Sequence, residues 1–133
     1  MLELYSDTSV DISYDPQTLL LHVDWKGYQS LHTGTQGCER ILELMVRHNA
    51  FDILNDNTHA RGLWMEPAQW AAKEWFPRMK QSGMKRFAWV YSTAKFSQIS
   101  ADAALVLMDA KALGVEVFQD KNAALAWLRP ASA

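Results

Sequence analysis

The chain has 133 residues, with 13 Lys and Arg against 15 Asp and Glu, one cysteine and 49% hydrophobic residues. That length suits one domain with its own core, spanning residues 1–133. Cys38 alone cannot form an internal disulfide, no Cys/His spacing suits a structural zinc, and a net charge of −2 argues against dedicated nucleic-acid binding.

The first ten residues lack the basic and apolar regions of a signal peptide. The apolar runs are too short for a membrane span, so a cytoplasmic protein is expected. Charge is uneven along the chain. Residues 1–66 carry four basic and ten acidic side chains, and residues 67–133 carry nine and five. Lys73, Arg78, Lys80, Lys85 and Arg86 supply much of the basic excess. They read either as an anion or acidic-partner surface or as a solvated helix face with Glu74 and Arg78 paired at i,i+4.

Residues 2–6 read as a short strand. Val10, Ile12 and Tyr14 then alternate with polar residues at the two-residue period of a half-buried strand. Asp15-Pro16-Gln17-Thr18 supplies a turn, and Leu19, Leu21, Val23 and Trp25 continue the alternation on a return strand. Strands so closely connected are expected to pair antiparallel. From Ser30 the period changes: Ile41, Leu44, Met45 and His48 fall on one face of a helix over 31–49. Gly34 and Gly37 in its early turns imply either a late start or a close approach of backbone or ligand.

AFDIL over 50–54 reads as a strand ending at Asn55-Asp56-Asn57, followed by a loop through Gly62. A helix over 67–82 is expected to start at Pro67 behind Glu66 and to bend at Pro77, where the Lys73 carbonyl loses its donor. RFAWVY over 86–91 is apolar on both faces, as in the middle of a covered sheet. A helix over 98–113 closes at Gly114. VEVF over 115–118 is a strand, and Asp120 caps a last helix that Pro130 stops. The order β-β-β-α-β-α-β-α-β-α predicts a mixed α/β domain. An N-terminal antiparallel meander is joined to β-α-β-α-β-α, with helices packed on a mixed sheet.

Particular residues within this order resemble the SpoIIAA-like proteins, small bacterial domains of STAS/SEC14 type. The matching stretches are Val23-Asp24-Trp25-Lys26-Gly27-Tyr28, Asn55-Asp56, Glu74-Trp75-Phe76-Pro77, and Asp120 with Ala124-Leu125-Ala126-Trp127-Leu128. Nearly the whole chain is covered, although each motif is short and none is catalytic. The resemblance implies helices packed on a mixed sheet. In the anti-sigma-factor antagonists of this superfold, an Asp-Ser-Ser/Thr-Gly run between strand and helix carries a phosphorylated serine. Here the corresponding stretch, Asp56 to Gly62, keeps the aspartate and one hydroxyl, Thr58, and lacks the following glycine. The SEC14 likeness implies lipid carriage, yet the chain is short for the gate helices such carriers use.

Ligands of open α/β sheets prefer the crevice beyond the carboxyl ends of parallel strands. Asp56, Asn57, Thr58, His59, Arg61, Trp64 and Tyr91 are therefore the candidate ligand-binding residues. Asp56 and His59 would act as acid and base, with Arg61 holding an anion, if the domain were a small enzyme. The same loop read plainly is a solvated turn whose Asn and Asp satisfy backbone groups.

Six tryptophans are many for this length. Trp70 and Trp75, five residues apart, differ by about 140° around a straight helix and cannot share one narrow face. Trp70, Trp75, Phe76 and Met79 are the candidate subunit interface, the alternative being an aromatic core. No P-loop or dinucleotide fingerprint is present, and neither a cofactor nor a metal is expected.

The expected function is thus a non-enzymatic cytosolic ligand-binding or regulatory domain, forming a homodimer and holding a small apolar or anionic ligand. The rivals are the Asp56/His59 enzyme and a phospho-switch acting on a regulatory partner through Thr58 or Ser92.

Overall fold

A computed structural model describes residues 1–129. Six strands form one mixed sheet in sequential order: β1 (Leu2–Ser6), β2 (Val10–Asp15), β3 (Leu20–Tyr28), β4 (Asp52–Arg61), β5 (Arg86–Val90) and β6 (Val115–Phe118). β1, β2 and β3 pair antiparallel as the expected meander, and β3 to β6 run parallel. The Asp15 carboxylate accepts from the Gln17 N–H at 2.9 Å and holds the β2–β3 turn. Leu19, expected on the return strand, lies in that turn with a φ of 63°.

Parallel neighbours in chain order need crossovers of one hand, and so put their helices on one face of the sheet. α1 (Leu31–His48) leads to β4, and α2 (Met65–Trp70), a π-helical segment (Ala71–Trp75) and α3 (Phe76–Gln81) lead to β5. α4 (Lys95–Leu105) and α5 (Ala110–Leu113) lead to β6. Residues of all these helices join Ile12, Val23, Ile53, Phe87 and Trp89 in the larger core. On the opposite face α6 (Lys121–Leu128) packs Ala124 and Leu128 on Leu20, Leu54, Ala88 and Val90. β5 is therefore covered on both sides, as its sequence requires. The Arg86 guanidinium fastens α6 by donating to the Trp127 and Leu128 carbonyls at 2.7 and 2.8 Å, while pairing with Asp52. Among the described residues no helix is long and apolar enough to cross a membrane.

Several local expectations are corrected. The helix expected over 67–82 starts at Met65, and Trp64 precedes it without a side-chain cap, so Glu66 lies in the first turn instead of capping it. The disturbance from Pro77 is taken up ahead of it. The helix widens over Ala71–Trp75, and the Phe76 N–H donates to the Ala71 carbonyl five residues back. The helix expected over 98–113 is two, because Asp109 caps a separate short α5 through the Ala112 N–H at 3.2 Å. The stop assigned to Pro130 lies outside the described residues.

α1 begins at Ser30, whose hydroxyl accepts from the Thr33 N–H at 3.1 Å while the Thr33 hydroxyl accepts from the Ser30 N–H at 2.9 Å. Its two glycines mark a close approach of side chains. A Cβ on Gly34 would lie 2.7 Å from Pro67 Cβ, and one on Gly37 would lie 2.5 Å from the Trp25 ring. Alanine in a helix ordinarily gains about 1 kcal/mol over glycine. In Gly37→Ala the overpacking, about 1–3 kcal/mol, should outweigh that gain and leave a net loss of up to about 2 kcal/mol in urea unfolding. A stabilised Gly37→Ala would show that Trp25 is free to yield.

A tryptophan-walled cavity as the candidate functional site

β4 is longer than its apolar run implies. It continues through Asn57, Thr58, His59 and Ala60 to Arg61, so the expected loop is a strand paired with β3. Asp24 pairs with Asp56 and Lys26 with His59, which leaves Asn57 and Thr58 together opposite Trp25. This is a β-bulge, and the extra residue shifts the alternation of side chains by one. Asn55, Asn57 and Ala60 consequently face the helices, while Asp56 and His59 face the side on which α6 packs.

Beneath α1, α2 and the π-helical segment lies a cavity of about 60 Å³, open on one side to solvent. Trp25, Trp64, Trp75 and Trp89 wall it, with Asn55 and Asn57 on its strand side. The ring planes of Trp64 and Trp89 are stacked at 6.4 Å, and Phe76 and Phe87 meet edge to face at 5.0 Å behind them. Trp25 Nε1 donates to Asn55 Oδ1 at 2.8 Å, and Asn55 Nδ2 donates to Asn57 Oδ1 at 3.0 Å. Trp75 Nε1 donates to the Cys38 carbonyl at 2.8 Å. The indole nitrogens of Trp64 and Trp89 are buried with no acceptor. A buried donor without a partner costs about 1–3 kcal/mol, so native structures rarely leave two beside one cavity.

Of the residues expected to bind a ligand, Asn57 and Trp64 line this cavity. The others are dispersed. Asp56 Oδ1 accepts from both the N–H and the hydroxyl of Thr58. The Arg61 guanidinium donates to the Thr58 and Ala60 carbonyls of its own strand. The Tyr91 hydroxyl donates to Asp102, and burial and that carboxylate push it above its usual range. The His59 side chain is 65% exposed. Ser92 is buried, donating to the Ala60 carbonyl and accepting from the Ala94 N–H.

Three of the four residues expected at a subunit interface belong to the core. Trp75, Phe76 and Met79 are 2%, 1% and 0% exposed, and Trp70 alone is half-buried. Trp25, Asn55 and Trp89 also line the cavity; the sequence marked the two tryptophans only as strand positions and Asn55 as the first of the polar residues at a strand end. Their common signal is a polar or indole group on the covered face of a strand. Of the basic excess, Arg78 is engaged by Glu39 in a two-pronged pair, and Arg86 by Asp52.

The cavity offers no group for covalent chemistry. Burial pushes the Cys38 thiol well above its usual range, so it stays protonated. Among the described residues no group of three or more His, Cys, Asp or Glu side chains is arranged for a metal ion.

On the opposite face a second, smaller cleft is lined by His22, Asp24, Asp56 and Lys121. Burial and the neighbouring Asp56 raise the Asp24 carboxyl above its ordinary value, with His59 partly offsetting them. His59 Nδ1 stands 3.7 Å from Asp24 Oδ1, too far for a hydrogen bond, and that oxygen has no donor. A raised carboxyl contributes stability below its unfolded value of 3.8 and loses it as pH rises through the folded one. Asp24→Asn should therefore raise the melting temperature at pH 7, with the gain vanishing below about pH 3.8. An equal gain at pH 3 and pH 7 would rule out the charge as its cause.

No protein-family model matches the chain, and no curated protein matches it. A solved structure does: an uncharacterized protein of the DUF3478 family with a SpoIIAA-like fold, from Shewanella loihica PV-4. The match covers 94% of this chain and 98% of that one, with a TM-score of 0.57 and 17% sequence identity. The fold of this chain is accordingly SpoIIAA-like, as its strand and helix motifs imply.

Proposed function

We propose that this domain is a non-enzymatic binding module that holds one small molecule in the tryptophan-walled cavity and acts in the cytoplasm as a regulatory unit. The observation that carries the reading is the pair of buried indole N–H groups, Trp64 and Trp89, left without acceptors beside an open cavity. A ligand that turned these N–H groups toward the cavity and supplied acceptors would recover that cost on binding. The cavity wall includes Ala71, Trp75 and Phe76 from the π-helical segment and the residue after it. Such widened turns recur at functional sites. Occupancy would thus bear on the segment that joins α2 to α3.

The enzyme reading has less support, because Asp56 and His59 face away from the cavity and the His59 side chain is largely exposed. The phospho-switch has little, with Thr58 inside a strand and Ser92 buried.

The homodimer belongs to the same proposal, on a different surface from the one first expected. Phe96 and Ile99 are exposed on α4, and Val106 and Leu107 are exposed just beyond its end. Exposed apolar patches of this kind mark association surfaces.

Native mass spectrometry of gently purified protein tests both parts. The expected species is a dimer of the 15.1 kDa chain with one added mass per protomer, released on denaturation. Ala71→Leu, which fills the cavity, should lose the added mass and remain dimeric. Phe96→Asp should keep the added mass and become monomeric. An empty wild-type monomer would overturn the proposal.

A further inference from the structure

Resting on that reading of the cavity, we infer that its ligand is an uncharged molecule bearing a hydrogen-bond acceptor, such as a ketone, ester or quinone carbonyl. The direction of the side-chain hydrogen bonds carries this. An indole nitrogen only donates, so the Asn55 atom 2.8 Å from Trp25 Nε1 must be its oxygen. That assignment turns the Asn55 amide nitrogen toward Asn57 and makes the facing Asn57 atom an oxygen as well. The relay therefore runs one way, from Trp25 through Asn55 to Asn57, and ends on the Asn57 Nδ2 donor.

Gln29 adds no acceptor. Its amide nitrogen donates to the Ser9 and Lys26 carbonyls, and its oxygen accepts from the Thr33 hydroxyl at 3.0 Å. With the indoles of Trp64 and Trp89 included, every unengaged polar side-chain group on the wall is a donor, and every side-chain acceptor already has a partner. A ligand donor directed inward would find only the second lone pairs of amide oxygens that each already accept one bond, whereas an acceptor would meet donors with no partner.

Charge is excluded on the same wall. The lining holds no Lys, Arg, His, Asp or Glu, and its Cys38 thiol stays protonated. An ion entering this apolar enclosure would lose hydration with no counter-charge to replace it. An acceptor on a neutral apolar frame meets both conditions, and the aromatic wall suits a flat frame. At about 60 Å³ the cavity is less than half the size of one that encloses benzene, ~150 Å³. It holds the acceptor-bearing end of a ligand and leaves the remainder at the open side.

The test is a titration of the full-length wild-type protein, followed by the indole N–H signals in nitrogen–proton correlation spectra. The probes are cyclopentanone, cyclopentane and cyclopentylammonium, and Trp64→Phe and Trp89→Phe serve to assign the signals. Cyclopentanone should move the Trp64 and Trp89 signals downfield to saturation, while Trp75, held by the Cys38 carbonyl, moves less. Cyclopentane should bind about fivefold more weakly or worse, the loss expected for one neutral hydrogen bond. The ammonium should not bind. Binding of cyclopentane or the ammonium as tightly as the ketone would overturn the ligand class and leave the cavity as a binding site. No movement of any indole signal with any probe would overturn the class and the binding reading together.

Discussion

The indole of Trp25 is held on two sides. Its ring lies where a Cβ on Gly37 would have to be, and its N–H is bound by the Asn55 carbonyl across the β3–β4 pair. The first contact sets how closely α1 approaches the sheet. The second orients a buried amide, and through it the next one at Asn57. Together they place a helix against two parallel strands and leave a gap that neither the helix nor the strands fill. The cavity is the product of that arrangement, and the direction of the relay determines which atoms face it.

The mixed sheet explains why the polar residues at the strand ends divide into two groups. With strands in chain order, the connecting helices gather on one face and, among the described residues, α6 alone covers part of the other. Side chains of β4 therefore enter either an aromatic interior or a half-open polar surface. The bulge opposite Trp25 decides the matter residue by residue, turning Ala60 inward and His59 outward. Without that single extra residue His59 would face the tryptophans. The separation of titratable groups from the cavity is thus a property of register, and it is what directs the functional reading toward binding instead of acid–base chemistry.

Much of the fold was legible because its signals are local. The alternation in β2 and β3, the doubly apolar β5 and the Asp120 cap each need only a few neighbouring residues to be read. The site was less legible because its determinants are not local. Asp56 to Arg61 is polar and reads as a loop, since nothing nearby reveals that one side of it is a covered strand and the other an open sheet face. The bulge depends on pairing with β3, some thirty positions earlier in the chain. Trp75, Phe76 and Met79 read equally well as core or interface until the π-helical turn is known to direct them inward. Of the residues expected to bind a ligand, Asn57 and Trp64 fall on the cavity wall, whereas Trp25 and Trp89 were hidden by their strand context.

The central claim is that Trp89 carries a donor kept unpaired for a ligand, and atom-level replacement tests it most directly. Substituting benzothienylalanine for tryptophan exchanges the indole N–H for sulfur at nearly constant shape. At Trp25, whose N–H is bound to Asn55, this should cost about 1 kcal/mol or more in urea unfolding, since it also leaves a buried acceptor unpaired. At Trp89, in ligand-free protein, the account predicts no loss or a gain, because the donor removed has no partner. A loss at Trp89 as large as that at Trp25 would contradict it.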